Sequence, residues 1–574
     1  MKKITLILLI AFPTCIAQSI IEGFVLDKNA NIALPYAAIK LNNSNSYLIT
    51  NINGKFSLNS KTEIDSLEVM FLGYKSKKIH ISDLLKNNRI YLTPNIFDLD
   101  EIVINANKDE KYLYNLIKSL IEKYRNLKTI TNSKAYITTS SSTNNIPIEH
   151  IEGFYNAKHS LYEGLINLEL KSGRFGQNKS LSFYSLDNSE ILKYFSLFKI
   201  DDQILPIHPG NIKLRAIKRK YNFKIDFCEN CDKNDILVSF TPKKNNLNSF
   251  SGSFYFNKDD LVLKKIELNI NNPKVPAILG LVEDDIIELK KIELKILFNP
   301  LDFNTVQYID YNLIVNYKTD FINEQIKTGS FIYFFDYNKT FESPYFVNKI
   351  QFNNDYDKML VLKATTDFWE NNYQFPQSDS EKKSLNYIKK FGYLINYENS
   401  IPLEYITLVN PSVITWDREK RITWNVIKES LNHPIYKNQK DLLVEKYNFN
   451  YVIDQQIGKD GVKHYINSTI FDRNNSFCME DIRDVNKLLY INLKFDIYEF
   501  HRQKVNSEII KSMSFKEVKK IFSEAFKEAS SEVSIMAEET KNGENFINLI
   551  FWNKKIKERL KVDNYKILII SNNL

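Results

Sequence analysis

The sequence predicts a mainly β protein with a small β-sandwich at the N-terminus, a large antiparallel β region in the middle and an α-helical C-terminal part. Short apolar runs of period two, separated by turn residues, fill the segment from Ile20 to Ala106. Longer alternating runs continue from Lys134 to about Asn338. After Cys478 the apolar residues recur at helical spacing instead. The 38 Phe and 33 Tyr residues agree with a strand-rich fold, because aromatic side chains favour strands.

The first 17 residues, Met1–Ala17, are expected to be a signal peptide. Two lysines precede the apolar core Ile4–Phe12, and Cys15–Ala17 has the small-x-small pattern of a cleavage site. The apolar run is too short to cross a bilayer. Lipidation of Cys15 is the alternative, but the three residues before it form a poor lipobox.

Residues 18–107 are predicted to be one sandwich domain, with apolar runs separated by turns about 8–12 residues apart. The sharpest turn signal is Asn53-Gly54, because both residues tolerate the positive φ that a two-residue hairpin turn of the primed type requires. The predicted strands are Ser19–Asp27, Tyr36–Leu41, Ser46–Thr50, Lys55–Leu58, Ser66–Leu72, Lys75–Ile81, Arg89–Leu92 and Glu101–Ile104.

This segment resembles the carboxypeptidase-regulatory-like domain. The resemblance implies a seven-stranded, transthyretin-like sandwich with a structural or interaction role and without catalytic residues. Leu99–Ala106 is similar to the segment that follows this domain in TonB-dependent receptors of Gram-negative outer membranes. The residues that carry the resemblance are Gly23, Val25, Asp27, Leu34-Pro35, Ala37, Ile39, Thr50, Asn53-Gly54, Phe56, Leu67, Val69 and Gly73-Tyr74.

The resemblance and the predicted signal peptide together imply a Gram-negative envelope protein, in the periplasm or at the periplasmic or outer face of the outer membrane. A receptor barrel of about 22 strands would need more chain than remains after Ala106. Glycine, at 15 of 574 residues, is also scarce for a large barrel or a phosphate-cradling enzyme. The expected partner is therefore an outer-membrane or periplasmic protein, and no transmembrane helix is expected in the mature chain.

The formal charge of +8 is small for 574 residues, and Lys and Glu are interspersed along the whole chain. This pattern indicates a solvated surface and argues against nucleic-acid binding.

Residues 108–340 are predicted to form a helix followed by an antiparallel β body. The helix, Asp109–Asn126, has its apolar residues on one face. The number and length of the following strands predict one large curved sheet or open barrel. The predicted strands are Lys134–Thr139, Glu149–Ala157, Leu165–Lys171, Tyr221–Phe227, Asp235–Thr241, Phe250–Asn257, Leu261–Ile270, Ile286–Phe298, Thr305–Tyr317 and Gln325–Tyr337.

Residues 341–480 are predicted to be a mixed region and residues 481–574 to be mainly helical. The mixed region holds a helix over Ser378–Phe391 and a hairpin whose strands, Tyr447–Gln456 and Val462–Phe471, flank an Asp-Gly turn. The helical region begins with one or two helices over 482–513. A capping box, Ser514 with Glu517, then starts a helix over 514–530, and a short last helix covers 553–560.

Cys228 and Cys231 form the sharpest chemical motif. They lie in a turn between two predicted strands, and cysteines three residues apart in a turn are close enough for a disulfide. In an exported protein a structural disulfide is the preferred interpretation, with redox and metal roles left open. Zinc would need two further ligands. Cys478 is distant in sequence and is expected to be a buried thiol.

The second cluster consists of Asp496, Glu499, His501 and Arg502 in one predicted helical stretch. An acid/base or ion site is possible, but an ion-paired helix face is preferred. The acidic runs 201–202 and 283–285 lack calcium-loop spacing and are interpreted as turns. Several aromatic side chains could stack on sugars or anchor a core; they are Phe368, Trp369, Trp416 and Trp424.

Three functions therefore stay open. The preferred hypothesis is a non-enzymatic envelope protein that uses the sandwich as a docking or spacer module, accessory to an outer-membrane complex. An envelope glycan or peptide hydrolase is the first alternative, and it requires two carboxylates about 5–10 Å apart across a cleft. A ligand-binding protein with an aromatic-lined β cavity is the second. No HExxH, His-x-His or G-x-S-x-G motif occurs, so no catalytic, cofactor-binding or metal residues are assigned.

Overall fold

The computed structural model describes residues 20–42, 47–59, 64–95, 106–181, 185, 192–193, 195–200, 204–226, 231–232, 234–244, 247–275, 278–279, 285–372, 375–397, 405, 411–429, 444–458 and 461–572. The predicted strand at 101–104 lies outside these residues. The chain divides into two compact units. Unit 1 consists of Met1–Ile96 and Tyr373–Asp379, and unit 2 consists of Phe97–Asn372 and Ser380–Leu574. The regions predicted at 108–340, 341–480 and 481–574 thus fall mostly in unit 2.

Unit 1 is a β-sandwich of seven described strands in two sheets, as predicted. One sheet has the order β4-β1-β7 and the other β3-β2-β5-β6. A short helix, α1 (Ile81–Lys86), follows β6 and was not predicted from the sequence. The strands are β1 (Ile20–Asp27), β2 (Ala38–Leu41), β3 (Tyr47–Ile49), β4 (Lys55–Asn59), β5 (Ser66–Met70), β6 (Lys77–His80) and β7 (Arg89–Leu92).

The core of unit 1 lies between its two sheets. Alternate residues of each strand point inward, as a half-buried strand requires. The fully covered side chains include Val25, Ile39, Phe56, Leu67 and Val69, each 0% exposed. The segment 373–379 also belongs to this unit. There the side chain of Asn51 donates to the Pro376 carbonyl at 2.9 Å, and the N–H of Asp379 donates to Asn53 Oδ1 at 3.0 Å.

Two details of unit 1 differ from the prediction. The sandwich is not wholly antiparallel, because β1 and β7 pair in parallel. The predicted two-residue hairpin turn at Asn53-Gly54 is also wrong, because β3 and β4 belong to different sheets. Only Gly54 has a positive φ, at 71°, and its N–H donates to the Asn51 carbonyl at 2.9 Å. The turn therefore carries the chain from one sheet to the other.

Unit 2 begins with α2 (Ala106–Asn126), which packs its apolar stripe onto a 12-stranded sheet. Its residues Ile117, Leu120 and Ile121 are 0% exposed, which confirms the predicted amphipathic helix. The first strands after the helix are β8 (Ile130–Thr143), β9 (Ile146–Ser160), β10 (Gly164–Asn178), β11 (Tyr221–Asp226), β12 (Asp235–Pro242) and β13 (Ser251–Asn257). The remaining strands are β14 (Leu263–Asn271), β15 (Ile278–Leu279), β16 (Ile286–Asn299), β17 (Asp302–Lys318), β18 (Asn323–Phe335) and β20 (Gly392–Ile395).

The order of this sheet is β11-β12-β13-β14-β16-β17-β18-β8-β9-β10-β20, with β15 paired to β16. Every described pairing within it is antiparallel, as predicted. The first strand, β8, lies inside the sheet beside β18 and not at an edge. A helix that was not predicted, α3 (Leu214–Lys220), leads into β11.

The rest of unit 2 contains a second sheet and most of the helices. The sheet has the order β19-β22-β23-β21, and its long strands β22 and β23 form the predicted hairpin. Its strands are β19 (Tyr345–Phe346), β21 (Val413–Thr415), β22 (Glu445–Ile457) and β23 (Lys463–Cys478). The helices are α4 (Asp355–Val361), α5 (Thr366–Asn371), α6 (Asp379–Phe391), α7 (Val485–Asn506), α8 (Phe515–Glu539), α9 (Phe546–Leu560) and α10 (Asn564–Asn572).

Helix α7 is the centre of this second part, because it is covered by the second sheet and by α8, α9 and α10. The predicted capping box begins α8: Ser514 N–H donates to Glu517 Oε2 at 2.7 Å, and Glu517 N–H donates to Ser514 Oγ at 3.3 Å. The predicted last helix begins earlier, at Phe546, and α10 follows it. Within the described residues, no helix has the length and apolarity to cross a membrane.

Candidate functional site

A basic groove opens in unit 1 where its two sheets separate. Tyr74 and Pro94 form an isolated antiparallel bridge, and the N–H of Lys75 donates to the Thr93 carbonyl at 2.9 Å. From Lys77 onward the chain pairs with β5 instead, so the edges formed by β6 and β7 part. The basic groove between them holds about 610 Å³ and is lined by Lys28, Lys75, Ser76, Lys77, Tyr91 and Thr93.

Three exposed lysines give the basic groove its charge. Lys28 follows β1, and its N–H donates to the Leu92 carbonyl at 2.9 Å, which places it beside the end of β7. The Nζ of Lys77 donates to the Tyr91 carbonyl at 3.2 Å and so bridges the two sheets. Among the residues that the structure describes, no carboxylate lies within 4.0 Å of the three ammonium groups.

The carboxylate next to Lys28 in the chain is buried and engaged. Asp27 is 4% exposed and accepts hydrogen bonds from the Tyr74 hydroxyl at 2.8 Å, Asn29 N–H at 2.6 Å and Ala30 N–H at 2.5 Å. The bond from Ala30 has the largest effect, and with the other two bonds it outweighs burial and lowers the pKa of Asp27. Asp27 thus holds the turn that positions Lys28.

The basic groove can therefore attract anionic groups. Its lysines supply positive potential, and the hydroxyls of Ser76, Thr93 and Tyr91 are further possible donors. Carboxylates and phosphates are the anions that such donors bind most strongly.

The predicted disulfide involves Cys231, a residue of unit 2. Cys231 is 4% exposed and takes part in a disulfide bond. Cys228 lies outside the described residues, so its pairing with Cys231 stays a prediction. Cys478 is a free, buried thiol, and burial raises its pKa.

The four residues of the predicted cluster on α7 do not form one site, because they contact different partners. Asp496, 0% exposed, accepts from Trp416 Nε1 at 2.7 Å and Arg421 NH2 at 2.6 Å. Glu499 pairs with Arg502 instead, at 2.6 and 2.8 Å. The two carboxylates therefore hold different segments of unit 2.

His501 faces α8, where its Nε2 lies 2.9 Å from Glu532 Oε2. Glu532 also accepts from Lys555 at 2.9 Å and Arg559 at 2.7 Å. Burial opposes ionisation of this carboxylate, but His501, Lys555 and Arg559 outweigh it and lower its pKa. These bonds join α7, α8 and α9, as expected of an ion-paired helix face.

The four aromatic side chains that were candidates for stacking on sugars also pack within unit 2. Phe368 and Trp369 are 2% and 7% exposed, and their ring centroids lie 5.6 and 5.1 Å from that of Phe154. Trp416 is bonded to Asp496, as described above. The Arg483 guanidinium lies 5.4 Å from the Trp424 ring. Phe368 and Trp369 are therefore core anchors, whereas Trp416 and Trp424 are half-buried and pack against the core around α7.

A buried polar network that sequence reasoning missed lies on β9 and β10. Glu149, 0% exposed, accepts hydrogen bonds from Gln177 Nε2 at 2.7 Å, Tyr356 OH at 2.9 Å and Ser185 N–H at 2.8 Å. Burial raises the pKa of Glu149 to about 7, although these donors favour the ionised form.

Glu152 lies three positions further along β9, and its pKa is lowered where that of Glu149 is raised. It is 2% exposed and accepts from Arg174 Nε, Tyr136 OH and Tyr397 OH, each at 2.8 Å. Burial opposes its ionisation, but Arg174 and then His150 outweigh burial and lower its pKa to about 2. Glu149 and Glu152 are an odd number of residues apart on one strand, so they point to opposite faces and cannot act on one bond.

The ligand-binding hypothesis requires a deep, aromatic-lined cavity. One enclosed apolar space in the body, near Leu165, Phe195 and Ile296, has a volume of about 10 Å³. That is room for about one water molecule. Within the described part of the chain, no three His, Cys, Asp or Glu side chains are grouped as metal ligands. Asp285 accepts from the Tyr317 hydroxyl, and the other predicted acidic turn residues lie outside the described residues.

The comparison with protein families matches residues 21–104 to the CarboxypepD_reg-like domain. These are the residues that form the described sandwich of unit 1 and line the basic groove. Residues 21–104 are a CarboxypepD_reg-like domain. No curated protein matches the sequence.

Two solved structures align weakly with the chain. The complex of Pseudomonas aeruginosa MucA/MucB has 9% identity, covers 38% of this chain and 92% of the other, and has a TM-score of 0.14. MucB in complex with MucA(peri) has 8% identity, covers 39% and 94%, and has a TM-score of 0.12. Scores this low indicate neither a common fold nor a common function.

The basic groove of the CarboxypepD_reg-like domain was not anticipated from sequence. A signal was present in Lys75-Ser76-Lys77, where two lysines share the period of an extended strand. Their proximity to Lys28 depends on the pairing of β1 with β7, which lies far away in the chain.

Proposed function

We propose that this protein is a non-enzymatic, exported envelope protein that uses the CarboxypepD_reg-like domain as a docking or spacer module. Its partner would be an outer-membrane or periplasmic protein. The observation that carries the proposal is the organisation of unit 1. The domain has its own apolar core and forms a compact unit distinct from the much larger unit 2. A module with its own apolar core suits docking, because it can present a surface of its own to a partner.

The charged groups of unit 2 support the same function. Glu152, Asp496 and Glu499 are buried and each is bonded to an arginine. Carboxylates used in this way stabilise a body and are not presented to a substrate. Glu149, the carboxyl with the raised pKa, is enclosed by Gln177, Ser185 and Tyr356.

Site-specific photo-crosslinking in intact envelopes tests the proposal. A benzophenone amino acid replaces Ile32 or Leu85, apolar residues of unit 1 that are 59% and 68% exposed. The matched control places it at Ile547 on α9, which is 79% exposed. We expect a covalent adduct with one envelope protein from the positions in unit 1 and none from Ile547. Adducts from Ile547 alone, or a protein recovered as a lone monomer from every position, would contradict a docking role for this domain.

A further inference from the structure

We infer that the basic groove is the docking surface of the CarboxypepD_reg-like domain and that it receives an acidic segment of the partner protein. This inference rests on the proposed function and specifies the chemistry of the contact. The groove is defined by six residues, and three of them are exposed lysines. Its space of about 610 Å³ is within the roughly 300–1,000 Å³ of typical ligand-binding clefts.

Charge is the first argument for an acidic occupant. The described ion pairs of unit 1 are ordinary surface pairs: Lys55 bonds Glu22 at 2.8 Å, and Lys86 lies 3.8 Å from Asp83. The three groove lysines have no such partner among the described residues. Like charges held close together repel, and a bound carboxylate would relieve that repulsion.

The shape of the groove favours a polypeptide. Five of its six lining residues lie on two chain segments, 75–77 at the start of β6 and 91–93 at the end of β7, so the groove runs along the ends of two strands. Lys75 and Lys77 are two residues apart, which in extended backbone separates them by about 7 Å. Alternate side chains of an extended peptide have the same spacing. Acidic residues at every second position of such a peptide would meet both lysines.

The donors of the groove are also suited to carboxylates. Lys77 is held across the opening by its bond to the Tyr91 carbonyl, so one ammonium group is already in place. Ser76 and Thr93 also line the groove, one from each of its two walls. A donor that is already held in place loses less conformational entropy on binding than a mobile side chain does.

The first experiment measures binding of a short, fluorescent poly-glutamate peptide to the full-length protein by anisotropy, with poly-glutamine as the uncharged probe. We compare the wild type with the double variant Lys75→Glu, Lys77→Glu. The matched control is Lys40→Glu, Lys78→Glu. These two lysines flank Glu68 on the same sheet, outside the groove lining, so the change in net charge is identical.

We expect the groove variant to bind poly-glutamate about tenfold more weakly, and the control to change less than about twofold. Binding should also weaken as salt is added, because exposed charges are screened. Thermal unfolding of both variants at the temperature of the wild type shows that folding is intact. Equal affinity of the two variants for poly-glutamate would overturn the inference. A second result would also overturn it: poly-glutamate does not bind the wild type, and vesicles of anionic phospholipid bind the wild type and the control but not the groove variant.

The second experiment repeats the crosslinking from Leu85 in the groove variant. Loss of the adduct in this variant but not in the control supports an acidic contact in the groove. An adduct that persists would overturn the groove inference and leave the docking function standing. Groove-dependent binding of poly-glutamate without any adduct in the wild type would show that the groove binds acidic chains but that the docking function fails, which overturns the groove as a docking surface.

Discussion

Glu152 and Arg174 stand opposite one another on the antiparallel strands β9 and β10, and Arg174 Nε donates to Glu152 Oε2 at 2.8 Å. The Arg174 guanidinium also lies between two rings, 4.0 Å from the centre of Trp369 and 4.6 Å from that of Tyr397. One charged pair thus joins the large sheet to the segments that follow it in the chain.

Removal of the arginine should be strongly destabilising. Arg174→Met leaves Glu152 buried without its cation, which we expect to cost about 3–5 kcal/mol of unfolding free energy. Urea titration followed by tryptophan fluorescence measures this change. The double variant Glu152→Gln, Arg174→Met is the control, since it removes both charges. A cost for the double variant equal to the sum of the two single costs would show that the pair is not coupled.

The low pKa of Glu152 makes the unfolding free energy depend on pH, and the direction of that dependence follows from the pKa shift. The folded pKa of about 2 lies below the ordinary value of 4.5, so the stabilisation is complete above about pH 4.5. It should be lost as the pH falls from there towards 2. The unfolding free energy of Glu152→Gln, measured against the wild type over this range, should show the smaller acid dependence. Parallel pH profiles for the two proteins would contradict the assignment.

Glu149 should have the opposite dependence in a different pH window. Its folded pKa of about 7 lies above the ordinary value of 4.5, so its favourable contribution is complete below about pH 4.5 and is lost as the pH rises through 7. The difference corresponds to about 3 kcal/mol. Glu149→Gln cannot titrate, so its unfolding free energy should fall less between pH 4.5 and 7 than that of the wild type. The comparison uses the slope with pH, because the substitution also alters the bonds from Gln177 and Tyr356.

A second buried ion pair joins the two sheets of unit 2. Lys171 on β10 and Asp454 on β22 are 1% and 2% exposed and are hydrogen-bonded to each other. Lys171 also donates to the carbonyls of Glu342 at 2.7 Å and Gln455 at 2.8 Å. Lys171→Met should therefore cost about 3–5 kcal/mol. Differential scanning calorimetry provides the measurement, and Lys171→Met with Asp454→Leu should recover part of the loss.

The turn at Gly54 should tolerate no side chain. Its φ of 71° is rare for other residues, and a Cβ there would lie 2.6 Å from the Val25 carbonyl oxygen. Gly54→Ala should reduce the stability of unit 1 by about 1–3 kcal/mol. Hydrogen exchange of amides on β1 and β4 reports on unit 1 alone. Unchanged protection of these amides would contradict the strained turn.

The predicted pairing of Cys228 with Cys231 can be tested by thiol labelling. Without reductant, the unfolded chain lacking residues 1–17 should take up iodoacetamide at Cys478 only. With reductant, Cys228 and Cys231 should be labelled as well, and peptide mass spectrometry locates each label. Labelling of Cys231 before reduction would show that the bond does not form in the native protein.

Local patterns in the sequence were sufficient to predict most elements. The alternation along 286–298 and 305–317 became β16 and β17 because one face of each strand is buried. The stripe on 109–126 became the buried face of α2. Ser514 and Glu517 begin α8 because the capping box depends only on residues three apart.

Long-range relationships could not be predicted in the same way. Lys171 looks like a surface residue in sequence, and its burial depends on Asp454, which lies almost 300 positions later. Helix α7 carries Asp496 and Glu499 on buried faces, so its pattern of polar residues does not show which side meets solvent. The basic groove likewise exists only after β1 and β7 have paired.

The position of β8 beside β18 has a consequence for how the chain folds. Lys134 pairs with Phe335, about 200 residues later, so the large sheet stays open until that distant strand arrives. The described strands of unit 1 all lie within residues 20–92, so none of its strand pairings waits for so distant a strand. Refolding should therefore be biphasic, with the small domain native early and the body slow. During the slow phase, the unpaired edges of β8 and β18 would be the surfaces most prone to aggregation and most dependent on protection by a chaperone.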